Sequence, residues 1–258
     1  MSESEPSQST PLVDVDRQGP ITVITLQRHA KRNAFDPELS HALDQAINEF
    51  EDDPDQWVGV LTGGPQMFSA GSDLAAGSGS TPRGGEYGII RRRRTKPLVA
   101  AVEGLALGGG LEVVFCCDVV VAATNARLGL PEVKRGVLPT SGGLFRALRS
   151  LPLHVAKEVV LTGEELDPQR AWQYGLVNRL VEPGQALSVA LEVAGSIVAN
   201  SPTSTRASLG AMESILGSGD ELGWAATDRA RQTVWASEDR AEGIKAFFEK
   251  RPPSWTGR

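Results

Sequence analysis

Residues 104–143 read GLALGGGLEVVFCCDVVVAATNARLGLPEVKRGVLPTSGG. Gly108-Gly109-Gly110 lies between two apolar runs, so the backbone is bare where a helix is predicted to begin, at Leu111-Glu112-Val113-Val114-Phe115. A helix N-terminus carries unpaired N–H groups and partial positive charge, which suits it to hold a developing oxyanion. Glycine there also lets a ligand approach the main chain with no Cβ in the way. Glu112 follows Gly109 by three residues, within one helical turn of those N–H groups. It interrupts an apolar run, and a carboxylate buried in such a run is expensive unless it is paired, protonated or functional. The second acid, Glu132, directly follows Leu130-Pro131. Two carboxylates can divide acid and base work if the fold brings them to one reacting centre.

Taken singly, each feature has a structural reading: glycines for close packing, an acid favoured by a helix dipole, an acid on a surface loop. Together they outweigh it because of a second stretch, Phe68-Ser69-Ala70-Gly71-Ser72-Asp73-Leu74. This loop follows the strand-like run Val58-Gly59-Val60-Leu61-Thr62-Gly63 and offers another tight glycine turn, with a free N–H at Ser72.

The segments F-S-A-G-S-D-L, K-P-L-V-A-A-V-E-G-L-A-L-G-G-G-L-E and L-P-E-V-K-R-G-V-L-P, at these spacings, resemble the crotonase, or enoyl-CoA hydratase/isomerase, superfamily. The likeness runs from Val13 to Ala246-Phe247-Phe248-Glu249-Lys250-Arg251. It implies an α/β fold with a repeated ββα core arranged as a spiral and a C-terminal all-helical oligomerisation region. It also implies that the N–H groups of Ser72 and Gly109 form an oxyanion hole for a thioester oxygen, with only the backbone of Ser72 needed. Glu112 and Glu132 would handle water and proton, Glu132 giving the proton that ends on C2. Substrate and CoA contacts are expected at Arg28, Ala30, Lys31, Ala70, Gly71, Asp73, Leu74, Gly108, Pro131 and Thr140. The implied reaction is reversible addition of water to a 2-enoyl-CoA, with no metal and no cofactor beyond the CoA of the substrate. An isomerase shifting a double bond with one acid, or a non-catalytic acyl-CoA- or RNA-binding relative, is disfavoured because both acids are present.

Two departures bear on specificity. Many hydratases have Pro-Gly-Ala-Gly-Gly where this chain has Pro139-Thr140-Ser141-Gly142-Gly143, which alters a turn expected to seat Glu132 and the water. Ser72 is polar where alanine is common. The run Leu130 to Pro139 and the ending Arg251-Pro252-Pro253-Ser254-Trp255-Thr256-Gly257-Arg258 are similar to the carnitinyl-CoA dehydratase branch. A quaternary ammonium substrate would want an aromatic or acidic pocket, and Tyr87 is the aromatic residue expected near the acyl side.

The chain has 258 residues, 40% hydrophobic and 22% charged, enough for a sizeable core. Its net charge of -6 argues against a general polyanion-binding surface. Cys116 and Cys117 are adjacent in an apolar run, which reads as buried free thiols in a reducing compartment. The polar, acidic start and the lack of a spanning apolar stretch lead to the expectation of a cytoplasmic protein that binds neither membrane nor nucleic acid.

Residues 1–11 have a disordered composition, residues 12–200 are expected to form the core, and residues 201–258 a helical trimerisation region. Two strands are predicted at Leu12 to Val15 and Ile21 to Leu26. A helix follows from Asp36 as N-cap and Pro37 as first residue to about Asp52, with Leu39, Leu43, Ala46 and Phe50 facing inward. Residues Ala75 to Tyr87 read as a long mobile loop, and Arg91-Arg92-Arg93-Arg94 as a solvated helix end or subunit contact. A short helix is expected from Asp167-Pro168 and a strand at Gly175 to Asn178. Beyond Ala186 the pattern is helical, with a break at Asn200-Ser201-Pro202 and with Trp224, Trp235, Phe247 and Phe248 available for intrachain or intersubunit contacts. The resemblance implies a homotrimer or a dimer of trimers.

Overall fold

The computed structural model describes residues 11–258; all but the last residue of the expected tail at 1–11 lies outside the described residues. A six-stranded sheet holds β1 (Val13–Gln18), β2 (Ile21–Leu26), β3 (Val58–Thr62), then β6, β8 and β11 in that order. The intervening elements are α1 (Pro37–Asp52), β4 (Ser80–Thr81), β5 (Gly85–Glu86), β6 (Leu98–Val102), β7 (Leu105–Leu107) and α2 (Gly109–Val114). The chain continues through β8 (Val119–Ala123), β9 (Arg127–Gly129), a 3-10 turn (Pro131–Arg135), α3 (Gly143–Ser150), α4 (Leu153–Thr162), β10 (Glu165–Leu166), α5 (Pro168–Gln173) and β11 (Arg179–Val181). Four helices follow: α6 (Ala186–Val198), α7 (Pro202–Gly217), α8 (Asp220–Trp235) and α9 (Glu238–Glu249).

Only β1 and β2 pair antiparallel in the large sheet; the other neighbours are parallel. Every residue of β3 and of β6 is buried. Both faces are covered, so these strands read as continuous apolar runs. On one face Val60, Val99, Ala101 and Val121 meet Ala186, Ala190 and Ala194 of α6. On the other, Leu61, Leu98, Ala100 and Val120 share the main core with Leu39, Leu43, Ile47 and Phe50 of α1.

A second, three-stranded sheet of order β10-β9-β7 extends through a bridge from Ala106 to Ser69. The ββα repeat is therefore a strand of the large sheet, a short strand of this second layer, then a helix: β6, β7, α2 is one such unit. The β7 and Ser69 positions put the site loops side by side.

The Asp36 cap forms as expected, accepting from the Leu39 N–H at 2.8 Å, with Pro37 first in the helix. Three expectations differ. The strand after α5 begins at Arg179, not Gly175: Gly175 has φ 84°, and the Leu176 and Val177 N–H groups return to the Ala171 carbonyl. Asn178 then clamps Val120 through its N–H and its Oδ1, both at 2.8 Å, so ladder pairing starts one residue later. The 75–87 segment is not a continuous mobile loop, because β4 and β5 make a hairpin docked on α1. Gly88 packs so closely that a Cβ would sit 2.3 Å from the Ser40 carbonyl oxygen. The arginine run is not a solvated end either. Arg92 and Arg94 turn inward to Asp44 and Asp118, while Arg91 lies over the Trp224 ring at 3.8 Å. Among the described residues no helix is long and apolar enough to cross a membrane.

Candidate active site

Gly108 caps α2 at φ 54° and ψ −123°, a conformation that strongly favours glycine. Gly109 is the first residue of α2, so its N–H has no carbonyl four residues back in the helix. Gly71, at φ 95°, brings the other loop against it. A Cβ on Gly71 would stand 2.7 Å from the Leu107 carbonyl oxygen and 3.0 Å from the Gly109 nitrogen. Ser72 follows, bridged to Phe35. The N–H groups of Ser72 and Gly109 have no acceptor among the described residues, so both remain available to a ligand oxygen.

Glu112 sits one turn into α2 and is buried. Its Oε1 accepts from the backbone N–H of Ser141 at 2.7 Å and of Gly143 at 2.9 Å. The altered turn therefore seats Glu112, not Glu132 as the sequence suggested. Gly143 is required there, since a Cβ would stand 2.9 Å from that oxygen. Burial raises the Glu112 carboxyl above the ordinary range, against the opposing pull of the two N–H groups and of Arg146. Arg146 is itself fixed, donating to the Ile90 carbonyl at 2.7 Å and to Cys116 Sγ at 2.9 Å.

Glu132 enters from the 3-10 turn opened by Pro131 and closed by Gly136 at φ 64°. Its Oε1 faces Gly108, 3.1 Å from where a Cβ would be. Its Oε2 is buried with no hydrogen-bond partner. Burial, then the charge of Glu112, raises this carboxyl well above the usual range. Gly71, Ser72, Gly108, Gly109, Glu112 and Glu132 thus surround one region.

The remaining expected contacts divide. Arg28 is committed inside the chain, bridging Asp36 at 2.6 Å and Asp73 at 3.0 Å. Asp73 also accepts from the N–H groups of Ala75 and Ala76, which with Arg28 hold its carboxyl below the ordinary range. The pair ties the Ser72 loop to the N-cap of α1. Ala30 and Lys31 are exposed on the 3-10 turn His29–Lys31, and Leu74 is exposed. Ala70 is half-buried, its N–H bound to the Arg32 carbonyl at 3.0 Å; Pro131 and Thr140 are also half-buried. Tyr87, named from the sequence as the aromatic residue near the acyl side, has its hydroxyl 2.7 Å from Ser72 Oγ. Arg146 had no sequence signal beyond its helical spacing. A cavity of about 280 Å³ lies beside the Glu132 turn, lined by Pro131, Lys134, Arg135, Phe247 and Lys250 among others.

The sequence pattern of the enoyl-CoA hydratase/isomerase family matches residues 16–258. A mevalonyl-coenzyme A hydratase of Aspergillus fumigatus is 38% identical over 248 residues, covering 91% of each chain. A carnitinyl-CoA dehydratase of Salmonella paratyphi A is 38% identical, covering 94% of this chain and 97% of that one. The crystal structure of a carnitinyl-CoA hydratase from Mycobacterium avium superposes with a TM-score of 0.90 at 37% identity, over 97% of this chain and all of the other.

Proposed function

The chain belongs to the enoyl-CoA hydratase/isomerase family, and from that premise we propose that it is a hydro-lyase adding water reversibly across the 2,3 double bond of an enoyl-CoA. One observation carries the reading: two buried carboxyls with unlike partners stand beside two unpaired N–H groups. The thioester oxygen sits between the N–H groups of Ser72 and Gly109, which stabilise the negative charge that develops as water attacks C3. Glu112, supported by two donors, is the ionised partner and takes a proton from the water. Glu132, with an unpartnered Oε2, is the protonated partner and delivers its proton to C2. One proton is accepted and one given, so a single exchange between the pair and solvent restores the starting state. Elimination uses the same steps backwards.

The basic rim of Arg135 and Lys250, beside Lys134, which pairs with Glu164 at 2.6 Å, has the charge that CoA phosphates need. The acyl group of a carnitine-type substrate is the second reading, favoured by the buried aromatic pair of Phe35 and Tyr87, with ring centroids 4.9 Å apart, beside Ser72. A trimeric assembly and a cytoplasmic location are part of the proposal. Met212, Ile215, Leu222 and Phe248 are exposed on the C-terminal helices, apolar area that subunit contact would cover.

The test is purified protein assayed against enoyl-CoA thioesters of graded length plus crotonobetainyl-CoA, with product analysis. A 3-hydroxyacyl-CoA or carnitinyl-CoA product is expected. Double-bond migration without uptake of water overturns the hydratase reading.

A further inference from the structure

Tyr87 is placed as no packing residue need be. Its ring is buried against Phe35, where a phenylalanine would fill the same space. Its backbone is left-handed, φ 54°, which a bulky side chain adopts only when its surroundings impose it. The imposition is visible: the Tyr87 N–H bonds the Gly79 carbonyl at 3.0 Å, and Gly88 is wedged on α1. The result aims the phenol at the floor of the site. A Cβ on Gly109 would stand 2.5 Å from the hydroxyl oxygen. The same hydroxyl meets Ser72 Oγ at 2.7 Å. It therefore lies between the two residues whose N–H groups face the thioester oxygen.

We propose that Tyr87 is a catalytic residue of this site, a third hydrogen-bond donor that closes the oxyanion pocket on the side between Ser72 and Gly109. The Ser72 hydroxyl is its positioning partner. With the thioester bound, Ser72 O–H donates to the phenol oxygen and the phenol O–H donates to the developing oxyanion, a two-link chain in which each bond polarises the next. Burial, then the charge of Glu112, pushes the phenol far above its ordinary pKa against the opposing hydrogen bonds with the Ser141 and Ser72 hydroxyls, so it keeps its proton throughout. A serine on the oxyanion loop, which backbone donation alone would not require, then has a use. This inference rests on the enoyl-thioester reading above.

The experiment uses cinnamoyl-CoA, whose conjugated carbonyl absorbs further to the red as the enzyme polarises it, together with turnover of the best enoyl-CoA from the substrate panel. Wild type is expected to red-shift the bound ligand. Tyr87→Phe keeps the ring but should shift it less and lose roughly ten- to a hundredfold in kcat, with KM nearly unchanged. Ser72→Ala should lose less, and the double variant should be no worse than Tyr87→Phe alone, as expected of residues in one chain of bonds. Equal shifts and equal turnover in wild type and Tyr87→Phe overturn the proposal alone. No shift and no turnover in wild type overturn the enoyl-thioester reading, and this proposal with it.

Discussion

Glu112 and Glu132 are the same residue in two different seats. Glu112 projects from the first turn of a helix into the N–H groups of Ser141 and Gly143, and its Oε1 is fully engaged. Glu132 comes from a 3-10 turn and has a buried oxygen that nothing in the described chain satisfies. Both carboxyls are raised by burial; Glu112 has the N–H groups of Ser141 and Gly143 and the charge of Arg146 to favour its ionised form, whereas Glu132 has its own backbone N–H and Arg135 in its favour but stands against the charge of Glu112. The comparison teaches that acid and base roles in a pair of identical groups are set by what surrounds them. An unsatisfied buried oxygen is costly in a resting protein, and Glu132 carries one on the carboxyl whose other oxygen lies beside Gly108.

The largest effect that tests this division is loss of either carboxyl. Glu112→Gln and Glu132→Gln should each cut kcat by a factor on the order of 10² or more while leaving acyl-CoA affinity nearly intact. Wild-type kcat/KM should follow a bell against pH whose limbs belong to the pair and both lie above the ordinary carboxylate range. A single rising limb at pH near 4 to 5, with a flat plateau beyond, would show that neither seat perturbs its acid.

A smaller effect should come from the seat alone. Gly143→Ala places a methyl 2.9 Å from Glu112 Oε1 and 2.8 Å from Pro139 Cβ. Overpacking of this kind costs roughly 1–3 kcal/mol of stability, and it displaces the carboxylate without removing it. Turnover should fall by about tenfold, between wild type and Glu112→Gln, with the acid limb of the pH profile moved as the N–H bonds lengthen. Unchanged kinetics in Gly143→Ala would mean that the turn does not hold Glu112 in place.

The two seats were unequally legible in the sequence. The glycine-rich start of α2, its acid one turn later and the second glycine turn at Gly71-Ser72 are local signals, because helix ends and left-handed turns restrict composition at short range. The strands β3 and β6 and the α1 cap were readable for the same reason. What held the acids was not, since Ser141 and Gly143 reach Glu112 across 29 and 31 residues. Without that contact the turn was assigned to Glu132, the nearer acid in the chain. Polar residues misled in the same way. Arg92 and Arg94 looked like a solvated run, because a charge shows its partner only in three dimensions: Asp44 and Asp118 are each more than twenty residues away. The hairpin bearing Tyr87 was hidden by glycines that read as flexibility but allow tight docking on α1.

The subtlest test is of stability against pH, and it separates the seats without any substrate. Both glutamates have folded-state pKa values above the roughly 4.3 of an unfolded chain. Between the unfolded and folded values the native state binds more protons than the unfolded state. The slope of unfolding free energy with pH, 2.303RT times the unfolded minus the native proton count, is then negative, and stability falls as pH rises through this window. Glu132→Gln removes a carboxyl that must ionise in a buried place against the charge of Glu112, with only its own backbone N–H and Arg135 in its favour, so the variant should gain on wild type as pH rises from 5 to 9. Glu112→Gln should gain less, because the carboxylate it removes was already stabilised by two N–H donors and Arg146. Thermal unfolding at fixed protein concentration reads the difference, each kcal/mol moving Tm by about 2–4 °C in a chain of this size. If the two variants flatten the pH dependence equally, the donors at Ser141 and Gly143 do not distinguish the acids, and the assignment of base to Glu112 and acid to Glu132 loses its physical ground.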